Sequence, residues 1–542
     1  MKSRIFNTIF ISALALSACN GIDFEGDAPK DWNGTTEAFT PVEEEAYSTY
    51  YKPAIGRVGD PMPFYDAKTG DFKILYLQEY PVNDDKRFHP YWAVTTKDGC
   101  SYESLGEVIP VGESRLQQDA ALGTGCCYYN SSDNLYYVYY TGHNGLCQSR
   151  EVIMRATSPD FKTWTKDNIW SLKGADFGLS SEDFRDPQIF EDGGKFHMVI
   201  STYQGNDPRF ADFVSDNMKD WTFNGVFNMV WDRMCECPDI FKMGNWWYLV
   251  YSEAFKKEWS RKVKYMKADS FEGLKRCFQD PGANWPDEHE GVLDTRAFYA
   301  AKTASNGTDR FIWGWCPYRT GNTIHDKNIA VGADGEPNWS GALVCHKLIQ
   351  HSDGTLSVGK VPAMEEKYNR NTELKVMKSE NFNGGKLTGD AYVIYNRLGY
   401  HNHISFTVKT AGDFDNFGVS FVRGTETYTD KEGATHVKEV GKYYTLRFNE
   451  EWAGGKRKVN FEQQGSDPDV KWFIAGADGY IFPRPEGNTY KIDIFTDNSV
   501  VVTYVNGEYG TTQRIYGIQK NCWSINSFGG EITVSDVKVT QY

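Results

Sequence analysis

The chain is expected to be all-β, a five-bladed β-propeller followed by a β-sandwich. Three observations predict this. A hairpin-like unit recurs through the first two thirds of the chain, and glycine (51 residues) and aromatic side chains (15%) are abundant, as in turn-rich β proteins. From about residue 370 the recurring unit gives way to plain alternation of apolar and polar residues. At 542 residues the chain exceeds one ordinary domain, and two folded domains are the natural count.

The first element is an address. Met1-Lys-Ser-Arg4 is basic, Ile5 to Leu16 is mostly apolar, and Leu16-Ser-Ala-Cys19 closes the segment with small residues before a cysteine. This is the pattern of a signal peptide, too short to span a membrane. Its last four residues resemble the bacterial lipobox, which implies cleavage before Cys19 and a lipid anchor on that sulfur. Asp23, Glu25 and Asp27 resemble the surface-export signal of Bacteroidetes lipoproteins. The expected organisation is a leader over 1–19, an acidic linker over 20–45, a propeller over 46–358 and a sandwich over 359–542. The expected location is the outer membrane, lipid-anchored and exposed at the cell surface.

The propeller rests on an internal repeat. Asp60-Pro-Met-Pro-Phe-Tyr65 precedes Gly70 and Phe72 to Leu77, and Asp186-Pro-Gln-Ile-Phe190 precedes Gly193-Gly194 and Phe196 to Ile200. Glu236-Cys-Pro-Asp-Ile-Phe241 precedes Gly244-Asn245 and Trp246 to Tyr251, and Gly125-Cys-Cys-Tyr-Tyr129 precedes Leu135 to Tyr140. Each is a strand, a turn and a second apolar strand. Asp160-Phe-Lys-Thr-Trp164 and Asn217-Met-Lys-Asp-Trp221 are expected to close units as polar strands. A fifth unit runs from Thr295 to Tyr299 through Phe311 to Trp315 and on to Leu343 to Leu348. About five modules in some 310 residues suit a propeller. Such a fold gathers equivalent strand starts around one axis.

The second domain is read from alternating strands at His403–Val408, Tyr443–Phe448, Tyr490–Phe495 and Ser499–Tyr504, with turns at Asp478-Gly479 and Asn506-Gly507. That is how a two-sheet sandwich reads, without the cysteine and tryptophan spacing of an immunoglobulin domain.

Charge and cysteine usage narrow the partners. A formal net charge of −15 argues against nucleic acid and offers no basic patch for polyanions, whereas a neutral carbohydrate is compatible with it. Ten cysteines follow Cys19, and most are expected to be buried free thiols. Cys235 and Cys237 flank Glu236, but no partner ligands follow at zinc spacing, so no metal is expected. Nothing in the sequence requires a cofactor.

Asp60, Asp186 and Glu236 are the candidate catalytic groups. Glycoside cleavage uses two carboxyl groups about one bond, and the repeat would bring these three acids to one funnel. An isolated Asp-Pro pair is more often a turn starter. The set, in repeat positions, is what points to catalysis.

Those residues carry a resemblance. Gly59-Asp60-Pro61, Phe184-Arg185-Asp186-Pro187, Glu236-Cys237-Pro238-Asp239, Phe298-Tyr-Ala-Ala-Lys-Thr303 with Trp313-Gly-Trp315, and Val505-Asn-Gly-Glu508 with Arg514-Ile-Tyr516 stand in the order of the motifs of glycoside hydrolase family 32, the invertase, levanase and inulinase family. The resemblance implies Asp60 as nucleophile, Glu236 as acid/base and Asp186 as the holder of sugar hydroxyls. It also implies Gln78 and Thr124 in the sugar subsite and Arg185 as the residue that orients the cluster. The family's first motif runs Asn-Asp-Pro-Asn-Gly, whereas here it is Gly59-Asp60-Pro61-Met62-Pro63, so two amides of the subsite are absent. The expected partner is an oligo- or polysaccharide, by the resemblance a fructan or fructo-oligosaccharide, with association with glycan-uptake proteins. Two alternatives stay open: an inverting furanosidase of the five-bladed arabinanase type, and a glycan-binding lipoprotein without turnover.

Overall fold

The computed structural model describes residues 44–80, 88–228, 234–253, 262–277, 290–317, 339–412, 416–429, 435–440, 444–453, 456–465, 480–515, 517–519 and 521–542. Cys19, the leader and nearly all of the acidic linker lie outside the described residues, as does the Asp478-Gly479 turn.

Five antiparallel units of four strands follow one another. Their inner strands are Arg57–Asp66, Ala121–Asn130, Phe184–Asp192, Cys235–Met243 and Tyr299–Ser305. Each inner strand lies beside the next, and the fifth lies beside the first, so the ring closes. The closure is reinforced at the chain start. Val58 of the first blade pairs with Gly341 of the fifth, and Tyr51 exchanges backbone hydrogen bonds of 3.1 and 2.7 Å with Leu343.

A blade is covered on both faces by its neighbours, and for that reason its middle strands read as continuous apolar runs rather than alternating ones. Tyr137 and Tyr139 of the second blade share a buried cluster with Ile189, Met198 and Phe213 of the third. The two tryptophan-ended segments are not strands. Oδ1 of Asp160 accepts the N–H groups of Lys162 and Thr163 (2.9 and 2.8 Å), and Oδ1 of Asn217 accepts those of Lys219 and Asp220 (2.7 and 2.9 Å). The side-chain oxygen takes the place of a ladder partner and turns the chain. Asp98 forms a third copy with Cys100 and Ser101. The outer strands come after the turns, at Thr165–Lys166 and Thr222–Asn228.

The second domain is built around Cys522–Gln541, a strand of 20 residues that pairs along its length with Lys386–Tyr395, His401–Thr410 and Asn416–Thr429. Its core includes Phe406, Phe417, Phe448, Ile492 and Trp523. Asn506 and Gly507 both have positive φ (54° and 73°), as a tight hairpin between Val500–Val505 and Tyr509–Arg514 requires. The domain is docked on the propeller, for Phe495, Val500, Val502 and Tyr504 share one buried cluster with Leu343, Val344 and Val358. Nine of the described cysteines are free thiols, eight of them buried.

Candidate active site

Every inner strand is interrupted at the same level by a one-residue irregularity. The register slips between Val58 and Pro61, Gly123 and Gly125, Arg185 and Gln188, Glu236 and Asp239, and Tyr299 and Lys302. A bulge bends its strand and re-aims side chains. In three blades the extra residue has positive φ: Asp186 (60°), Cys237 (52°) and Ala300 (53°). For non-glycine residues this stores strain of about 1–3 kcal/mol, which the surrounding ladders hold in place. Pro187 and Pro238 fall at skipped positions, where a residue without an N–H leaves no donor unpaired. The Asp-Pro and Cys-Pro motifs are therefore bulge chemistry as well as site chemistry.

The bulges converge the acids, though not from strictly equivalent positions as the repeat suggested. Counting from the last paired residue, Glu236 is the first position of its bulge, Asp186 the second and Asp60 the third. Asp60 is half-buried and held at both oxygens: Trp315 Nε1 donates to Oδ1 (2.9 Å) and Thr124 Oγ1 to Oδ2 (2.5 Å). The thiol of Cys237 stands 3.9 Å from Oδ2. The Cys237 N–H donates to Asp186 Oδ2 (2.9 Å), so one residue touches both carboxylates. Glu236 accepts from the Tyr299 hydroxyl (3.0 Å), and Arg185 Nε lies 3.6 Å from its Oε1.

Arg185 is itself fixed by Glu151, whose two oxygens accept from Nη1 at 2.8 and 3.0 Å, and by Asp183 at 3.0 Å from Nη2. Its Nε is buried and makes no hydrogen bond among the described residues. Burial pulls the Glu151 carboxyl up, but His143, Arg185 and the Phe184 N–H outweigh it and hold the group below its usual range. Asp186 shows the opposite balance. Burial first, then the neighbouring Glu236 and Asp60, push its carboxyl up to about 7 against the pull of Arg185. Crowding three carboxyl groups at one level thus disfavours the ionised form of the most buried of them, Asp186.

Behind the bulges stands a second ring. Gln78, Thr141, Ser201, Ser252 and Trp315 are the second-strand residues paired at the slip in the five blades. Thr141 Oγ1 accepts the Asp186 N–H (3.1 Å) and donates to the Thr124 carbonyl (2.9 Å). Gln78 is buried; its Nε2 donates to the Ile55 carbonyl (2.6 Å), and its Oε1 makes no hydrogen bond among the described residues. Thr124, expected to line the subsite, gives its hydroxyl to Asp60. Sequence reasoning quoted the motifs around Tyr299 and Trp315 without assigning them a role, and it missed Glu151 and Thr141, which carry no local signal.

Fold and site define a β-propeller whose funnel gathers three carboxyl groups at one level, with a sandwich packed against it. Residues 51–358 match the Glycosyl hydrolases family 32 N-terminal domain, and residues 354–539 match the GH32, BT1760-like, C-terminal domain. The chain belongs to glycoside hydrolase family 32. It is 24% identical over 332 residues to the levanbiose-producing levanase of Bacillus subtilis (56% of this chain, 60% of that protein). It is 29% identical over 227 residues to a sucrose-6-phosphate hydrolase of Zymomonas mobilis, spanning 37% of this chain and 41% of that one. The matched region thus covers less than two thirds of either relative. In fold it is similar to fructan 1-exohydrolase IIa of Cichorium intybus (TM-score 0.66, 14% identity, 92% and 98% coverage). It is similarly close to a Bombyx mori GH32 β-fructofuranosidase (TM-score 0.60, 15% identity, 97% of each chain).

Proposed function

We propose that the chain hydrolyses β-fructofuranosides, with a fructan or fructo-oligosaccharide as substrate, by retaining double displacement. The observation that carries this reading is the convergence of Asp60, Asp186 and Glu236 on one set of aligned bulges in a family 32 propeller. The printed name of the Bacillus subtilis relative supports a fructan.

In the first step an oxygen of Asp60 bonds to the anomeric carbon while the glycosidic C–O bond breaks, and Glu236 gives its proton to the departing oxygen. In the second, Glu236 takes a proton from water, which attacks the same carbon and releases Asp60. Donors from Trp315 and Thr124 on the two oxygens of Asp60 fix the orientation of the carboxyl group that attacks and later leaves. Asp186 is placed to hold sugar hydroxyls as charge develops. Arg185 orients Glu236, with its Nε 3.6 Å from the carboxylate. No step calls on a metal or cofactor.

The protein is also proposed to be a surface lipoprotein anchored at Cys19, acting beside glycan-uptake proteins. Replacing Cys19 with serine should move it from the membrane to the soluble fraction, and unchanged fractionation would remove the anchor. The function is tested by incubating the mature protein with levan, inulin, sucrose and arabinan while following product anomers by NMR. First-formed β-fructofuranose supports the proposal. Inverted arabinose products favour the arabinanase reading, and binding without turnover favours a glycan-binding protein.

A further inference from the structure

The residue before Asp60 is Gly59, and the space its side chain would take is already full. A Cβ built on Gly59 overlaps Cη2 of Trp339 and lies 3.0 Å from its Cζ2 and Cζ3. The indole of Trp339 thus rests on the backbone of residue 59, next to the acid. It is placed from two sides: its ring is edge-on to Trp315 (centroids 6.2 Å, 63°), the residue that donates to Asp60, and tilted on His89 (5.0 Å, 33°). His89 is in turn held by Glu79 at 2.7 Å. Trp339 is half-buried, so part of its surface is open. No polar atom can be added at position 59 without moving this ring.

We propose that Trp339 is a specificity-determining residue, replacing the polar side chain that position 59 lacks with an aromatic wall for the sugar beside Asp60. The inference rests on the furanosidase reading. An amide at this place would bind hydroxyls. An indole instead takes the C–H face of a furanose ring, so recognition beside Asp60 shifts from hydrogen bonding to stacking. The site would then gain from each ring that can lie on aromatic surface and discriminate little by the hydroxyls of the terminal unit.

Four proteins test this on a fructo-oligosaccharide and on sucrose: wild type, Trp339→Ala, Gly59→Asn and the double variant, with Trp339→Phe as the conservative control. Thermal unfolding is read on each. Trp339→Ala should raise KM for the oligosaccharide about tenfold, the worth of one aromatic contact, with kcat changed less than about threefold. Trp339→Phe should restore most of that KM. Gly59→Asn alone should lower kcat/KM about a hundredfold, because the amide collides with the ring. The double variant should regain at least tenfold over Gly59→Asn and turn its preference toward sucrose. A double variant no better than Gly59→Asn, or an unchanged KM in Trp339→Ala, overturns the proposal. If wild type itself turns over no fructoside, the furanosidase reading fails instead. Titration of the oligosaccharide into the Asp60→Asn protein, with and without Trp339→Ala, then decides the stacking claim by binding alone: equal affinities overturn it.

Discussion

Two of the buried polar clusters in this molecule treat their charges in opposite ways. At the junction of propeller and sandwich, Asp294 accepts from the N–H groups of Thr295 and Thr512 (2.6 and 2.7 Å), from Thr512 Oγ1 (2.6 Å) and from His346 Nε2 (3.2 Å). His346 meets the Tyr504 hydroxyl with its other nitrogen (2.8 Å), and Asp497 collects the N–H groups of Ser48, Thr49 and Tyr50 (2.9, 2.7 and 3.0 Å). In the funnel, among the described residues, Asp186 accepts one hydrogen bond and Arg185 Nε donates none, and the backbone turns through positive φ. A satisfied cluster fixes the domains. An unsatisfied one leaves bonds to be made with a ligand, and its strain is held by the ring around it.

The comparison breaks if the funnel acids prove as inert as those of the junction. Asp60→Asn should lower kcat by about 10⁴-fold or more on every fructoside, since no leaving group replaces the missing attack. Glu236→Gln should lose about as much on a fructan but far less on an activated aryl fructofuranoside, whose departing oxygen needs no proton. Steady-state rates on both substrates check the split. Equal losses on the two substrates for Glu236→Gln would take the acid/base role from that residue.

Asp186 sharpens the contrast by coupling activity to stability. A carboxyl whose pKa is raised in the fold keeps its proton to higher pH than it does in the unfolded chain. The native state therefore loses stability as pH rises from the ordinary range near about 4 to about 7, and the loss is level above that. Asp186→Asn should lower kcat/KM about 10²- to 10³-fold, yet raise stability at pH 8 by as much as a few kcal/mol. That gain should vanish below about pH 4. Denaturant unfolding at pH 4 and pH 8 reads the difference, and a variant less stable than wild type at pH 8 would contradict it.

The junction should respond the other way. Asp294→Ala leaves the N–H groups of Thr295 and Thr512 unmatched in a fully buried place and should cost about 2–5 kcal/mol of stability. The folded fraction should keep its kcat/KM within about twofold. A large loss of turnover without a loss of stability would mean that the junction belongs to the site.

These unequal clusters were unequally legible in the sequence. Blades and acids were readable because turn residues and Asp-Pro or Cys-Pro pairs encode the bulges locally, and family resemblance then supplied roles for Asp60, Asp186 and Glu236. Asp160 and Asn217 misled, since an aromatic-ended polar run looks like a strand until the side-chain oxygen is seen to compete with the ladder. Glu151, Thr141 and Trp339 were out of reach for a different reason. Their partners Arg185, Asp186 and Gly59 are set by cross-blade register and ring closure, which no local pattern records.

Thr141 offers the finest test of whether the second ring serves the acids or merely fills space. It lies in the second strand of the second blade, and its hydroxyl bridges to the third by accepting the Asp186 N–H at 3.1 Å while donating to the Thr124 carbonyl at 2.9 Å. Thr141→Val keeps the shape and removes both bonds, leaving the Asp186 N–H unpaired beside a bulge already strained at φ 60°. Stability should fall by about 1–2 kcal/mol, the worth of a buried donor left unmatched. The effect on rate should be larger than that alone explains, because the freed bulge lets Asp186 move: about tenfold in kcat/KM, carried mainly by kcat. Thr141→Ser, which retains the hydroxyl, should recover most of the rate. If valine costs stability but leaves kcat untouched, Thr141 is packing, and the bulge holds Asp186 without it.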